Sequence, residues 1–178
     1  MIVAVVDTGI DIAHPDLAAN VWHNTGEIPG NGIDDDGNGF VDDVSGWDFT
    51  TCKRAYADGQ CIETKEPGPD VTDEAGHGTH IAGTIAAVGD NGIGIIGVAP
   101  QAQVMAVKAL NERGQGRNSD LAAALVYAAE NGAAVINASW SGPPSDTIKM
   151  AIDYVTETFD VVVVASAGND AAPLERGY

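Results

Sequence analysis

The run Ile2-Val3-Ala4-Val5-Val6 constrains this chain more than any other stretch: it is wholly apolar and stops at Asp7-Thr8-Gly9. A strand with one wet face alternates apolar and polar residues, so an unbroken run predicts a strand covered above and below. Val104-Met105-Ala106-Val107, Ala134-Val135-Ile136 and Val161-Val162-Val163-Val164-Ala165 read as further strands. Helical segments fall between them. Gly78 to Val88 is a small-residue helix, and residues 119–131 carry Leu121, Ala124, Leu125 and Ala128 at i, i+3, i+4, i+7. Ile148, Ala151, Ile152 and Val155 form a third stripe. Asn118 or Ser119 and then Ser145 are the candidate N-caps, and Gly132 is a candidate helix stop. Alternating strands and helices predict an α/β fold: a doubly wound, mainly parallel sheet with helices on both faces. Sites in such sheets form beyond the carboxyl ends of strands. Asp7, Asn137-Ala138-Ser139 and Gly168-Asn169 all follow strands.

A chain of 178 residues, 44% apolar, suffices for one domain with a core. Residues 18–75 hold few periodic segments and many Gly, Asp and Pro, and loops that long are usually functional. Eight Lys+Arg against 26 Asp+Glu give a formal charge of −18, which argues against nucleic acid or anionic membranes as partners. That charge suits calcium binding, secretion, a salty medium or plain solubility, and does not choose among them. Cys52 and Cys61 lie close together in a polar stretch. A short-range disulfide, implying an oxidising compartment, is the favoured reading over two free thiols. No signal peptide is visible, since the apolar start runs into Asp7 without a basic flank. No run approaches the ~20 apolar residues of a membrane span.

One segment carries a metal signal by spacing alone. In Asp34-Asp35-Asp36-Gly37-Asn38-Gly39-Phe40-Val41-Asp42-Asp43, Asp34, Asp36 and Asn38 occupy positions 1, 3 and 5 of an EF-hand-like calcium loop. Gly39 falls at position 6, Phe40 offers a carbonyl at 7 and Asp42 stands at 9. Position 12 is Ser45 rather than a bidentate Glu, so Asp43 is the candidate substitute. The competing reading is a solvated acidic turn. His77 and His80 also share metal spacing, but neither Cys nor a zinc-protease Glu accompanies them. His14 and His23 have no assigned chemistry.

Three stretches carry chemistry together: Val5-Val6-Asp7-Thr8-Gly9-Ile10-Asp11, Gly76-His77-Gly78-Thr79-His80-Ile81-Ala82-Gly83-Thr84, and Ala165-Ser166-Ala167-Gly168-Asn169-Asp170. In this order and with these local signatures the chain closely resembles the subtilase family of serine peptidases. The resemblance implies that Asp7 orients and charge-stabilises His77, that His77 is the general base for a serine, and that Asn169 donates to the oxyanion. It implies a calcium site at Asp16, in His14-Pro15-Asp16-Leu17, closed by the Asn91 side chain and the carbonyls of Gly89, Ile93 and Ile95. Gly114-Gln115-Gly116 and Ser139-Trp140-Ser141 look like the two edges that pair with an extended peptide. The second edge more often reads Ser-Leu-Gly in the family, so Trp140 either reshapes a pocket or packs in the core. Ala167 and Gly168, with Ala165 and Ser166, look like the other wall of the primary specificity pocket.

The family's nucleophile stands in a Gly-Thr-Ser-Met-Ala-like segment after all three stretches. Ser45, Ser119, Ser139, Ser141, Ser145 and Ser166 stand in other contexts. The expectation is therefore a partial peptidase domain over residues 1–178, incomplete at its C-terminus and inactive as it stands, with an acidic calcium-loop insertion around residues 31–46. The function read from it is an extracellular serine endopeptidase that uses Ca²⁺. Its partners would be an extended polypeptide substrate and a pro-segment of its own, with neither nucleic acid nor membrane. The alternative is a catalytically inactive calcium-binding fragment or interaction module.

Overall fold

A computed structural model describes residues 1–54 and 61–169; Asp170 and the residues after it lie outside the described part. Among the described residues, strands and α-helices follow in the order β1 (Ile2–Asp7), β2 (Gly46–Asp48), β3 (Cys52–Arg54), β4 (Glu63–Thr64), α1 (His77–Ala86), β5 (Gln103–Lys108), α2 (Asn118–Glu130), β6 (Val135–Ala138), α3 (Asp146–Phe159) and β7 (Val162–Ala165), with a 3-10 turn at Ala18–Asn20 after β1. The main sheet runs β2-β5-β1-β6-β7 and every neighbouring pair is parallel. β1 lies at its centre, paired from Ile2↔Gln103 to Asp7↔Lys108 on one side and from Val3↔Val135 to Val5↔Asn137 on the other. That position explains the unbroken apolar run.

Side chains alternate across a strand, so β1 feeds two cores. Ala4 and Val6 join Met105 and Val107 beneath Leu121, Leu125 and Ala128 of α2 and Val155 of α3. Val3 and Val5 join Val104 and Ala106 against Ala82 and Ala86 of α1. Val5 and Val6 are fully buried, each contributing about 1.5–3 kcal/mol of burial free energy. β7 forms one edge, where Val162 and Val164 remain exposed.

The predicted helices and strands appear within a residue or two of their expected limits, with three differences. β2 has no apolar run to announce it: Gly46-Trp47-Asp48 is held by pairing with β5. The N-cap of α2 is Arg117, without a side-chain cap, so Asn118 and Ser119 lie inside the helix. The antiparallel β3–β4 pair was also not foreseen. Ser145 does cap α3, accepting from the Ile148 N–H at 3.4 Å. Gly132 follows α2 at φ 81°, the left-handed position glycine tolerates best, and its N–H returns to the Ala129 carbonyl. Cys52 and Cys61 form the disulfide, with Cα atoms 5.7 Å apart.

Candidate active site

Asp7 ends β1 and is completely buried. Its carbonyl accepts from the Ala109 and Leu110 N–H groups, which pins the strand end to the chain leaving β5. Its Oδ1 accepts from the Thr8 N–H and lies 2.7 Å from Nδ1 of His77. His77 opens α1, and its side chain is 52% exposed. The pair therefore joins a buried carboxylate to an imidazole whose outer edge is open to solvent. Gly78 permits the approach: a Cβ there would lie 2.1 Å from the Gly9 carbonyl oxygen and 3.2 Å from Cβ of Asp7.

The helix start is held by Asp73, a residue outside the three motif stretches. Oδ1 of Asp73 accepts from the Thr8 hydroxyl at 2.8 Å and from the Ala75 and Gly76 N–H groups. Oδ2 accepts from the N–H and hydroxyl of Thr79. Burial works against the ionised carboxylate, but the bonds from Thr79, Thr8 and Gly76 outweigh it and hold its pKa below the ordinary value. An Asp a few residues before a helix was the available signal. What it bonds across the fold was not readable.

The expected substrate edges follow β5 and β6, the two strands beside β1. Gly114 and Gln115 lie in a turn beyond β5 closed by Asn111, whose Oδ1 accepts from the Arg113 and Gln115 N–H groups. Gly116 fits tightly, since a Cβ there would meet the Ala109 oxygen at 2.4 Å. Ser139, Trp140 and Ser141 follow β6. Trp140 is half-buried, packs against the α2–α3 core, and its indole N–H donates to the Val6 carbonyl at 3.1 Å. Ser139 Oγ donates to Asn137 Oδ1, and Ser166 Oγ donates to the Trp140 carbonyl. Ala167, Gly168 and Asn169 follow β7 with Ala167 and Asn169 exposed. A Cβ on Gly168 would stand 4.0 Å from the Ser141 side chain, so the segments after β6 and β7 lie side by side there.

The acidic segment is organised by side chains bonding to backbone. Asp42 accepts from the N–H groups of Gly30, Asn31 and Gly32, and Asp34 from those of Asn38 and Gly39. The carboxylates that converge are instead Asp36, Asp43 and Glu27, whose oxygens lie within 4.8 Å of one another. Glu27 lies upstream of the expected segment. Asp43 is buried and accepts from the Tyr127 hydroxyl, Asn24 Nδ2 and Asn38 Nδ2. Burial raises its pKa, and the nearby Asp36 charge adds to this; the three hydrogen bonds offset part of the rise. The Phe40 ring packs edge-on against Trp47, Phe49 and Tyr127 and anchors the loop.

At Asp16, the loop from Gly89 to Ile96 folds over the carboxylate. Asn91 Nδ2 donates to Oδ1 at 2.7 Å and the Ile95 N–H to Oδ2 at 3.0 Å. Those two bonds depress the Asp16 pKa. Asn91 Oδ1 accepts from the Ile93 N–H.

A central strand ends in a buried aspartate, and a histidine opening the next helix lies at hydrogen-bond distance from it, at the carboxyl edge of a parallel sheet. The Subtilase family profile matches residues 1–177, and the chain belongs to that family. Subtilisin BL of Lederbergia lenta is 37% identical over 171 residues, covering 96% of this chain and 48% of that protein. Subtilisin-like protease 1 of Plasmodium berghei (strain Anka) is 33% identical over 173 residues, covering 96% of this chain and 26% of that protein. Among solved structures, Sphericase superposes with a TM-score of 0.71 at 32% identity over 97% of this chain and 47% of the other. The chain thus spans between about a quarter and a half of these relatives.

Proposed function

We propose that this chain supplies the Asp–His half of a serine endopeptidase centre. The observation that carries the reading is the 2.7 Å contact between Asp7 Oδ1 and His77 Nδ1. With Nδ1–H donated to Asp7, Nε2 of His77 is free to accept a proton. A serine hydroxyl beside it attacks the scissile carbonyl carbon as its proton passes to Nε2. The imidazolium then protonates the leaving amine, and water hydrolyses the acyl-enzyme through the same base. Asn169 is the proposed side-chain donor to the oxyanion, and Gly114–Gly116 and Ser139–Ser141 the edges that bind extended peptide. The nucleophile is proposed to lie in a serine-bearing segment other than these 178 residues, which leaves this stretch inactive alone. The test is a pre-steady-state burst with an activated peptide ester in the full-length protein. Burst and turnover should vanish in His77→Ala; turnover at the wild-type rate in that variant would end the reading.

Calcium binding is a second proposal, favoured by the convergence of Glu27, Asp36 and Asp43 around buried Asp43. A divalent cation there would neutralise charges that otherwise repel. Glu27, Asp36 and Asp43 would hold it, with Asp34, Asn38, Phe40 and Asp42 shaping the loop. The second proposed site at Asp16 needs the Asn91 amide to present its oxygen instead of Nδ2, so ion and direct hydrogen bond are alternatives there. Calorimetric Ca²⁺ titration before and after Asp36→Ala with Asn38→Ala should show one ion fewer per chain; unchanged stoichiometry would remove the acidic-loop site. The disulfide suits an oxidising compartment and supports an extracellular location. Among the described residues no helix is long and apolar enough to cross a membrane.

A further inference from the structure

We infer that Asp73 is the positioning residue that sets the Asp7–His77 geometry, an inference that rests on the peptidase reading of that pair. A helix start leaves N–H groups unpaired, and a side chain at the N-cap usually takes one or two of them. Here the N-cap is Gly76, which has no side chain. Asp73 takes its place from further back, accepting from the Gly76 and Thr79 N–H groups at 2.8 and 2.9 Å and from the Thr79 hydroxyl at 2.7 Å. Its charge also sits at the positive end of α1.

The same carboxylate reaches the sheet. Thr8, next to Asp7, donates its hydroxyl to Asp73 Oδ1 at 2.8 Å and accepts from the Gly78 N–H at 3.0 Å. Gly78 is the residue after His77. Thr8 beside Asp7, and Gly76 and Gly78 on either side of His77, are thus tied to one carboxylate, directly or through one hydroxyl. The Thr79 hydroxyl extends the bridge, accepting from the Asp11 N–H at 2.9 Å. Asp7 and His77 come from segments far apart in sequence, and the 2.7 Å contact is a single bond between them. Asp73 touches no reacting atom in this arrangement; it acts by holding strand end and helix start in register.

The test compares wild type, Asp73→Asn, Thr8→Val and the double variant in the full-length protein. Asp73→Asn keeps the shape but turns either an amide group toward Thr79 or one toward Thr8, where donors already point. Each single variant should lower kcat by ~10–100-fold with KM within about twofold, because misplacement harms the chemical step more than ground-state binding. The double variant should be little worse than the worse single one, since both break one bridge. The hydrogen-bonded His77 Nδ1–H proton should shift upfield in both, measured where circular dichroism shows the variants folded. Thr8→Val keeps the Asp73 bonds to α1, losing the acceptor for the Gly78 N–H, and serves if Asp73→Asn fails to fold. Multiplying effects in the double variant, or an unmoved Nδ1–H resonance, would overturn the inference. Wild-type protein lacking His77-dependent turnover would sink the peptidase reading instead, and the resonance would still decide whether Asp73 sets the geometry.

Discussion

The Asp7–His77 pair and the acidic segment around Asp43 are both clusters of polar groups, built in opposite ways. The pair is carried by regular structure: a central strand ends at Asp7, a helix begins at His77, and apolar packing on both faces fixes where those ends lie. The acidic segment from Glu27 to Asp43 contains no helix or strand and is held by carboxylates accepting from backbone N–H groups. Geometry at the pair should therefore survive ionic changes that loosen the loop. Charge neutralisation should matter to the loop and little to the pair.

The sharpest separation comes from Asp7→Asn. It should lower kcat by about 10⁴-fold, because the amide no longer holds the imidazole in the useful tautomer, while the melting temperature hardly moves. Loss of the fold alongside activity would show that the pair is structural. Chelation should do the reverse. If a bound cation is present at ~100 Kd, removing it costs about 2.7 kcal/mol, seen as a lower melting temperature and new proteolytic cleavage within residues 31–46. A collapse of kcat at temperatures where the chelated protein stays folded would break the distinction. Tyr127→Phe is a smaller probe. It removes the hydroxyl bonded to Asp43 and should cost about 1–2 kcal/mol, read by denaturant titration. An unchanged midpoint would show that the bond carries no stability.

The smallest effect concerns acid. Despite burial, hydrogen bonds from Thr79, Thr8 and Gly76 hold the folded-state pKa of Asp73 below its ordinary value, so its ionised form favours folding. That contribution is fully present above the unfolded value and is lost as pH falls through the depressed one. Asp73→Asn should therefore lower stability by a constant amount at neutral pH and flatten the acid limb of the stability–pH curve, the two curves converging as pH falls. Parallel curves in wild type and variant would contradict the shift.

Legibility in the sequence followed the same division. β1, β5, α2 and α3 were readable because a two-sided burial run and an i, i+3, i+4, i+7 stripe are properties of neighbouring residues. β2 was not, because Gly46-Trp47-Asp48 becomes a strand only through its pairing with Ala106, Val107 and Lys108. The meeting of Asp7 and His77 was legible only through the resemblance to the subtilase family; the strand pattern by itself placed Asp7, and not His77, at a sheet edge. Asp73 and Glu27 were not, because what marks them is the set of distant groups that converge on them. In the acidic loop the spacing of Asp34, Asp36 and Asp42 was visible, but not which oxygens would turn to the backbone.

Asp7 and His77 are proposed to activate a serine carried outside these 178 residues. The direct measurement is active-site labelling with a serine-directed fluorophosphonate, read by intact mass. The full-length protein should take up one label per chain, and His77→Ala should abolish the uptake. A polypeptide limited to these 178 residues should take up none. Stoichiometric labelling of that polypeptide, or full labelling of His77→Ala at the wild-type rate, would contradict the account.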